Sequence, residues 1–432
     1  MSHPHPAPTI IYDAVRLVLS AASATPRGID RVEIDYARHL TASWPGEIYA
    51  LLPTPWGLRL FDRARFARAL AYLEQSWAEH GDAGDDKVFA FILDRLAGKV
   101  VGPLDVVPPR GGGGVKRILG IIGVTGFSIG RSLSLPEKGA IYLNIGQLGL
   151  SAWLTTPWLR RRPDMAAVFM LHDVIQLEHP RFVTRQGLKW ARVMVKIVRA
   201  RATALIATTD AARRSIVAAL GRSPANCLTL PLPLAAVFAA GNTPDPALAA
   251  HKYFVCCGSV EPRKNHLLLL KVWQNLIARH GAATPKLVIV GPVVPRGAAI
   301  RDALQATPAL RAHIIIASGL TSPALRRVVA HARAALTPSF TEGFGLPVIE
   351  ALALKTPVVL SDIAPLREAA AGLGIYHAPD DDAGWCATIE RLAFDPDFAA
   401  SQRRDCAQFV PMTGATYFSK VTEFLCSLPR PA

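Results

Sequence analysis

Cysteine is scarce in this 432-residue chain: six residues (227, 256, 257, 386, 406 and 426), with no C-x-x-C spacing among them. That excludes a disulfide framework and a zinc site, and adjacent Cys256 and Cys257 in an apolar run favour a reduced, cytosolic compartment. Long apolar runs are missing as well. The longest, ILGIIGVTGFSIG at 118–130, falls short of the about 20 residues that span a bilayer. VRLVLSAASA (15–24) imitates the end of a signal peptide, but Asp13 precedes it and Arg16 interrupts it, so a soluble or peripheral protein is expected. No G-x-G-x-x-G follows a strand pattern, which removes the dinucleotide fingerprint. No RRM or zinc-finger signature supports nucleic acid as a partner.

Acidic residues are outnumbered, 33 against 48 basic ones, for a formal charge of +15. The excess is uneven: 29 − 18 = +11 over residues 1–240 and 19 − 15 = +4 over the rest. Such a surface fits an anionic partner, whether nucleic acid, a phosphorylated small molecule or an acidic membrane. TRQGLKWARVMVKIVRARA (184–202) sharpens this. Arg185, Lys189, Arg192, Lys196 and Arg199 recur at helical spacing on one face, and no acid occurs between 182 and 209. The expectation is contact with anionic lipid on the inner face of the cell membrane, with Trp158 and Arg160 to Arg162 extending the patch. The plain alternative is a solvated helix face.

At this length, with half its residues hydrophobic, the chain fits two domains of roughly 200 residues. Apolar β-branched runs alternate with helical patterns: TIIYDAVRLVL, AIYLNI, AVFML and ALIAT, then YFVCC, KLVIV, HIIIA, AALTPS and PVVLS. Uninterrupted apolar strands separated by helices predict parallel sheets covered on both faces, hence two Rossmann-like domains. The boundary is expected in the Pro- and Ala-rich stretch 230–252. This predicts domains at 1–238 and 239–410 and a terminal amphipathic helix within 411–432. A Gly-rich loop is read at 106–117; residues 57–140 yield no functional reading.

Four stretches carry residues suited to chemistry. In FTEGFGLPVIEAL (340–352), Pro347 suits the first turn of a helix, and Gly343 and Gly345 let a phosphate approach its N-terminus. Glu350, one turn in, has the two acceptor oxygens that a vicinal diol such as a ribose requires, and Glu342 precedes the glycines. The alternative is simple dipole compensation by acids. In VCCGSVEPRKNHLLLLKVW (255–273), a turn at Gly258 leads to a helix start that carries Arg263 and Lys264. Two cations at a positive helix end are unfavourable unless an anion rests there. Together these stretches predict a diphosphate-plus-diol site. In VFMLHDVIQLEHP (168–180), His172 and Asp173 end an apolar strand, where polar groups face an interdomain cleft. In ATPRGIDRVEIDYARHL (24–40), a turn between the first strand and first helix, Gly28 leaves room for phosphates or an acceptor.

With GSVEPRKN upstream and VVLSDIAPLREAA downstream, EGFGLPVIE resembles the retaining GT-B glycosyltransferases of family 4, also called group 1, over about residues 251–380. RGIDRVEIDYARHL, LHDVIQLEHP and ALIATTDAARRSIV match that family more loosely. The resemblance implies a GT-B fold and a nucleotide-diphosphate sugar bound mainly to the C-terminal domain, with a glycan or polyprenyl-linked acceptor on the N-terminal one. It gives Glu350 to the ribose, Arg263 and Lys264 to the diphosphate, and Glu342 with the backbone of Gly343, Phe344, Gly345 and Leu346 to the donor sugar and phosphate. His172 is given to the sugar, and the last helix crosses back onto the N-terminal domain. The chain departs from the family at LPLPLAAVF, where an Asn-Gly-Val-Asp-like turn is usual, and at Ser322 and Pro323, where an acid is common.

The reaction implied is transfer of a hexose, mannose-like, in polysaccharide biosynthesis, with retention and without a metal or other cofactor. Fixed cations and helix N-termini meet the charge that develops on the leaving diphosphate. PDDD (379–382) is read as a helix cap rather than a metal motif. A glycosidase also employs two carboxylates but leaves the cations unexplained. A nucleotide-sugar 2-epimerase of similar architecture is the nearer rival. A non-catalytic sugar-nucleotide-binding or membrane-docking protein is the alternative of another class.

Overall fold

The apolar runs become the centres of two sheets because each can bury both faces beneath helices. A computed structural model describes residues 7–21, 26, 28–54, 57–78, 86–99, 114–125, 130, 139–147, 155–241 and 244–429. Residues 106–113 of the expected Gly-rich loop lie outside this set, as do residues 24, 25 and 27 beside Gly28. The chain divides into two units, one of residues 1–79, 111–232 and 413–432, the other of 80–110 and 233–412.

The first unit holds β1 (Ile10–Asp13), β2 (Ile48–Thr54), β3 (Gly57–Asp62), β4 (Ile141–Asn144), β5 (Ala166–Leu171), β6 (Ala204–Ala207) and β7 (Asn226–Thr229). Their order is β3-β2-β1-β4-β5-β6-β7, parallel except for β3, which runs antiparallel to β2 with Leu51 opposite Leu60. Interior strand β5 is apolar along its whole length and buried at every position. Local signals set the helices around it. Thr209 caps helix Asp210–Leu220 by accepting from Ala212 N at 3.0 Å, and Gly221 ends it at φ 65°. The terminal helix, Gly414–Ser427, belongs to this unit. Tyr417 and Tyr36 share a buried 2.7 Å hydroxyl hydrogen bond, and Phe418 stacks on His39 at 4.5 Å between ring centroids.

The second unit holds β8 (Tyr253–Cys257), β9 (Lys286–Val290), β10 (Ile314–Ala317), β11 (Ala335–Thr337), β12 (Val358–Ser361) and β13 (Ile375–His377). The order is β10-β9-β8-β11-β12-β13, parallel throughout. Each sheet is therefore Rossmann-like, as the alternating pattern predicted.

The division falls at 232/233 and 412/413 where 238/239 and 410/411 were expected, and one further segment changes sides. Residues 80–110, of which 86–99 are described, join the second unit rather than the first. Helix Lys87–Leu96 buries Val88, Phe89, Ile92 and Leu96 in the same core as Val288, Val290, Ile315 and Ala317. One carboxylate fixes it there. Asp86 Oδ1 accepts from Val88 N at 2.8 Å and Phe89 N at 3.2 Å, while Oδ2 accepts from Thr321 N at 2.8 Å, ahead of helix Ser322–His331. Asp86 thus serves two helix starts, the second being the one at which Ser322 and Pro323 replace the family's acid.

Candidate active site

In the second unit the strand order reverses between β8 and β11, and open α/β sheets take ligands at such reversals. After β8 the chain turns at Gly258 (φ 134°) and passes through a 3-10 turn, Pro262–Lys264, into helix His266–His280. Arg263 and Lys264 therefore precede the helix instead of occupying its first turn. Asn265, in the left-handed region at φ 54°, separates turn from helix. The Lys264 stem crosses Gly258, where an added Cβ would lie 3.4 Å from Lys264 Cε.

The loop after β11 meets this turn, with Phe340 N donating to Arg263 O at 2.8 Å. Glu342 then binds both cations: Oε2 lies 3.0 Å from Arg263 Nη1, and Oε1 lies 2.5 Å from Lys264 Nζ and 2.6 Å from Ser339 Oγ. Arg263 also reaches Thr341 O at 3.2 Å and Glu261 Oε1 at 2.9 Å. Burial pushes the Glu342 carboxyl up, but the Lys264 and Arg263 charges outweigh it and hold the group down at about 2. The two sequence stretches thus form one cluster. Its cations are not waiting for an outside anion, however, because Glu342 and Glu261 already pair with them. Lys264 has three N–H donors and one goes to Glu342, so it retains capacity for a ligand oxygen.

Gly343 and Phe344 are buried, and Gly345 (φ 105°) precedes helix Leu346–Ala353. A Cβ at Gly345 would also come within 2.8 Å of Leu366 Cδ2, so both conformation and space demand glycine. Leu346 and Pro347 form the first turn, and Glu350 lies buried one turn further in. The PDDD run is a cap, as expected: Asp381 Oδ1 accepts from Gly384 N at 2.9 Å at the start of helix Asp382–Phe394.

In the first unit the order reverses between β1 and β4. His172 follows β5 and its Nε2 lies 3.0 Å from Ile145 O. A carbonyl only accepts, so Nε2 carries the proton and Nδ1 is left as an acceptor. Burial lowers His172 to about 4, the Ile145 carbonyl offsetting this in part and the Arg16 charge adding to it. Asp173 Oδ1 accepts from Ile175 N at 3.2 Å at the start of a short helix. Gly28 opens helix Gly28–Ser43, but a further helix, Val15–Ser20, intervenes after β1 where the sequence suggested a single turn.

Sequence reasoning missed a charged cluster here. Arg16 Nη2 lies 3.1 Å from Asp30 Oδ1, and Arg16 Nε lies 3.5 Å from Glu33 Oε2. Glu33 is fully buried, which pushes its carboxyl well up against the pull of Arg16. Nearby, Asp13 accepts from Tyr142 Oη at 2.5 Å and Asn144 Nδ2 at 3.0 Å, while Asn144 Oδ1 accepts from Gln147 N at 3.0 Å. The available signal was Glu33, Tyr36, Ala37 and Leu40 at helical spacing, an acid within an otherwise apolar face. Ser339 and Glu261 were missed in the second unit.

The predicted basic face forms as expected on helix Arg185–Arg201, started by Thr184 Oγ1 accepting from Gly187 N at 3.0 Å. Arg185, Lys189, Arg192, Lys196 and Arg199 are all exposed, and among the described residues none of them has a carboxylate partner. No described helix is long and apolar enough to cross a membrane, and no cluster of three metal-ligating side chains occurs among the described residues.

Residues 251–395 match the family model of glycosyl transferases group 1. A serotype-specific mannosyltransferase, WbdA of Escherichia coli, is 33% identical over 154 residues, 34% of this chain and 19% of the relative. A D-inositol 3-phosphate glycosyltransferase of Kineococcus radiotolerans is 27% identical over 281 residues, 58% of this chain and 62% of the relative. The chain spans less than two thirds of the length of either curated relative. The structure of Anabaena HepE with UDP-glucose matches 98% of this chain and 100% of its own, at 16% identity and a TM-score of 0.61. That likeness establishes the GT-B fold.

Proposed function

We propose that this protein transfers a hexose, mannose-like, from a nucleotide-diphosphate sugar to a glycan or lipid-linked saccharide in polysaccharide biosynthesis, with retention and independently of a metal. The observation that carries the reading is the convergence of Arg263, Lys264 and Glu342 at the β8/β11 reversal, beside the Gly345-capped helix that bears Glu350. The mannosyltransferase relative supports the sugar and the pathway class, and the UDP-glucose held by HepE supports the donor class.

In this reading Gly343 and Gly345 admit the diphosphate to the helix N-terminus, whose positive dipole end favours it. Lys264 gives its remaining donors to the same oxygens, and Glu350 accepts from the ribose hydroxyls. As the anomeric C–O bond breaks, its electron pair passes to the diphosphate oxygen, where the fixed cations meet the new charge without reorganising. Glu342, ionised at neutral pH, holds both cations in position and stands on the sugar side. In the first unit, neutral His172 offers Nδ1 to a sugar hydroxyl, and Gly28 and Asp173 border the acceptor.

Anionic lipid at the cytoplasmic membrane surface is the further partner, through the exposed face from Arg185 to Arg199, at about 1 kcal/mol per cation near the surface. Salt-sensitive recovery on anionic vesicles supports this, and equal recovery on neutral vesicles removes it.

The reaction is tested by a panel of nucleotide sugars with a chelator present, following nucleoside diphosphate release and the fate of the sugar. The expected result is release from one preferred donor, undiminished by the chelator. Loss of release on chelation overturns metal independence. A rearranged sugar nucleotide in place of released diphosphate makes the protein an epimerase, and no reaction with any donor overturns the reading.

A further inference from the structure

Among the described residues, four that are not glycine have a left-handed backbone: Gln147 (φ 64°), Asn265 (54°), Lys355 (59°) and Ala371 (51°). Lys355 and Ala371 follow the ends of helices Leu346–Ala353 and Ala364–Ala369, where that conformation is an ordinary way to finish. Asn265 separates the donor-site turn from its helix. Gln147 has neither reason. It lies three positions past β4 and ends no helix, and the conformation strains any residue that carries a Cβ.

The segment around it is pinned residue by residue. Asn144 Oδ1 accepts from Gln147 N at 3.0 Å, and Asn144 Nδ2 donates to Asp13 Oδ2 at 3.0 Å. Ile145 O accepts from His172 Nε2 at 3.0 Å. Gly146 is pressed against the Arg16–Glu33 pair, where an added Cβ would collide with Glu33 Oε1 and lie 2.6 Å from Arg16 Cδ. A strained residue persists only where its surroundings over-determine it, and these contacts do so. One group is left over. Gln147 is 7% exposed, and its Nε2 is buried without a hydrogen-bond partner among the described residues. Strain and an unpaired buried amide each cost stability, and a ligand that meets the amide accounts for both.

The position and the neighbours say what kind of ligand. Gln147 stands beyond the C-terminal end of β4, where the strand order reverses against β1, the place at which open α/β sheets take ligands. The side chains that touch residues 144–147 include Asp13, Glu33, Arg16 and His172. The one cation there, Arg16, is already paired with Asp30 at 3.1 Å. An anion gains nothing beside two carboxyls and a committed cation. A neutral hydroxyl fits, because it accepts from the amide and gives its own proton to a neighbouring acceptor.

We propose that Gln147 is a specificity-determining residue for the acceptor saccharide, its Nε2 donating to one hydroxyl of a neutral hexose bound at the first unit. This rests on the glycosyl-transfer reading, in which the charged donor groups fall to the second unit, and adds the residue that tells one acceptor hexose from another. A site built to pair with a hydroxyl rejects the analogue that lacks it, because the buried partner is then left unpaired.

The test uses the full chain and the methyl α-glycosides of mannose, glucose and galactose, with dissociation constants from ligand-observed NMR titration. The expected result is a preference for one hexoside. Its monodeoxy analogues then locate the hydroxyl: loss of that one group should weaken binding to the unaltered protein about 10-fold. Gln147→Gly should bind the parent hexoside about 10-fold more weakly too, yet lose nothing further when the same hydroxyl is absent. Its thermal midpoint should be equal or higher, since glycine suits the left-handed conformation and removes the unpaired donor. Weakening by one factor for the parent and every analogue, or a lower thermal midpoint, makes Gln147 a structural residue and overturns the proposal. So does equal binding of the parent hexoside to variant and unaltered protein, or binding of none of the three. Failure of the glycosyl-transfer reading appears separately, as absence of nucleoside diphosphate release from every donor by the unaltered protein.

Discussion

Replacing Glu342 by glutamine removes one buried charge and almost no volume. In the native protein the carboxylate meets Lys264 at 2.5 Å, Ser339 at 2.6 Å and Arg263 at 3.0 Å. The amide keeps one acceptor but turns an NH2 group toward a cation, so one bond is lost and a donor faces a donor. The magnitude follows from linkage. Held at about 2 against an ordinary 4.5, the carboxyl contributes about 3 kcal/mol of stability at neutral pH. A depressed carboxyl gives that stability in full above its unfolded value and loses it as pH falls through the folded one. Glu342→Gln should therefore lower the stability of the second unit by about 3 kcal/mol at pH 7. The deficit should shrink from pH 4.5 down to about 2, where the native carboxyl itself becomes neutral. Amide hydrogen exchange in β8 and β11 reports this unit separately from the first. A deficit under about 1 kcal/mol at pH 7, or one that grows on acidification, refutes the reasoning.

Asp86→Ala strands three backbone N–H groups, those of Val88, Phe89 and Thr321, and should destabilise helix Lys87–Leu96 by about 3 kcal/mol. Exchange in that helix should accelerate while the first unit keeps its protection. His172, lowered from 6.5 to about 4, is neutral at pH 7. As pH falls below 6.5 the unfolded state takes the proton first, so about 3 kcal/mol of stability is lost by about pH 4. Nitrogen NMR should show the Nε2–H form and a titration midpoint near 4, whereas a midpoint near 6.5 contradicts the burial argument. Tyr417→Phe deprives buried Tyr36 of its 2.7 Å partner and should cost about 1 to 2 kcal/mol in thermal unfolding of the first unit.

What the sequence made legible was whatever local pattern determines. Runs such as AAVFML and YFVCC could only be buried strands, and the glycines around Pro347 could only precede a helix. Strand β7 (NCLT) escaped because half its residues are polar, and β3 because it lies in the stretch that yielded no reading. The apolar stripe of helix Lys87–Leu96 announces a core without saying which core, and its destination in the second unit is a long-range fact. The charged cluster shows the same limit. Lys264 and Glu342 were each singled out, yet their separation of 78 positions hides a salt bridge that alters their meaning. Arg16 and Glu33 went unread because one resembles an interruption in an apolar run and the other an ordinary helix acid.

The central claim is that the loops after β8 and β11 form one donor site. Its most direct test is kcat/KM for donor hydrolysis by Lys264→Ala and Glu350→Gln, on the preferred nucleotide sugar with a chelator present. The account predicts a fall of about 10- to 100-fold in each variant, from loss of charge-assisted bonds to the diphosphate and the ribose. Unchanged kcat/KM in both variants contradicts it.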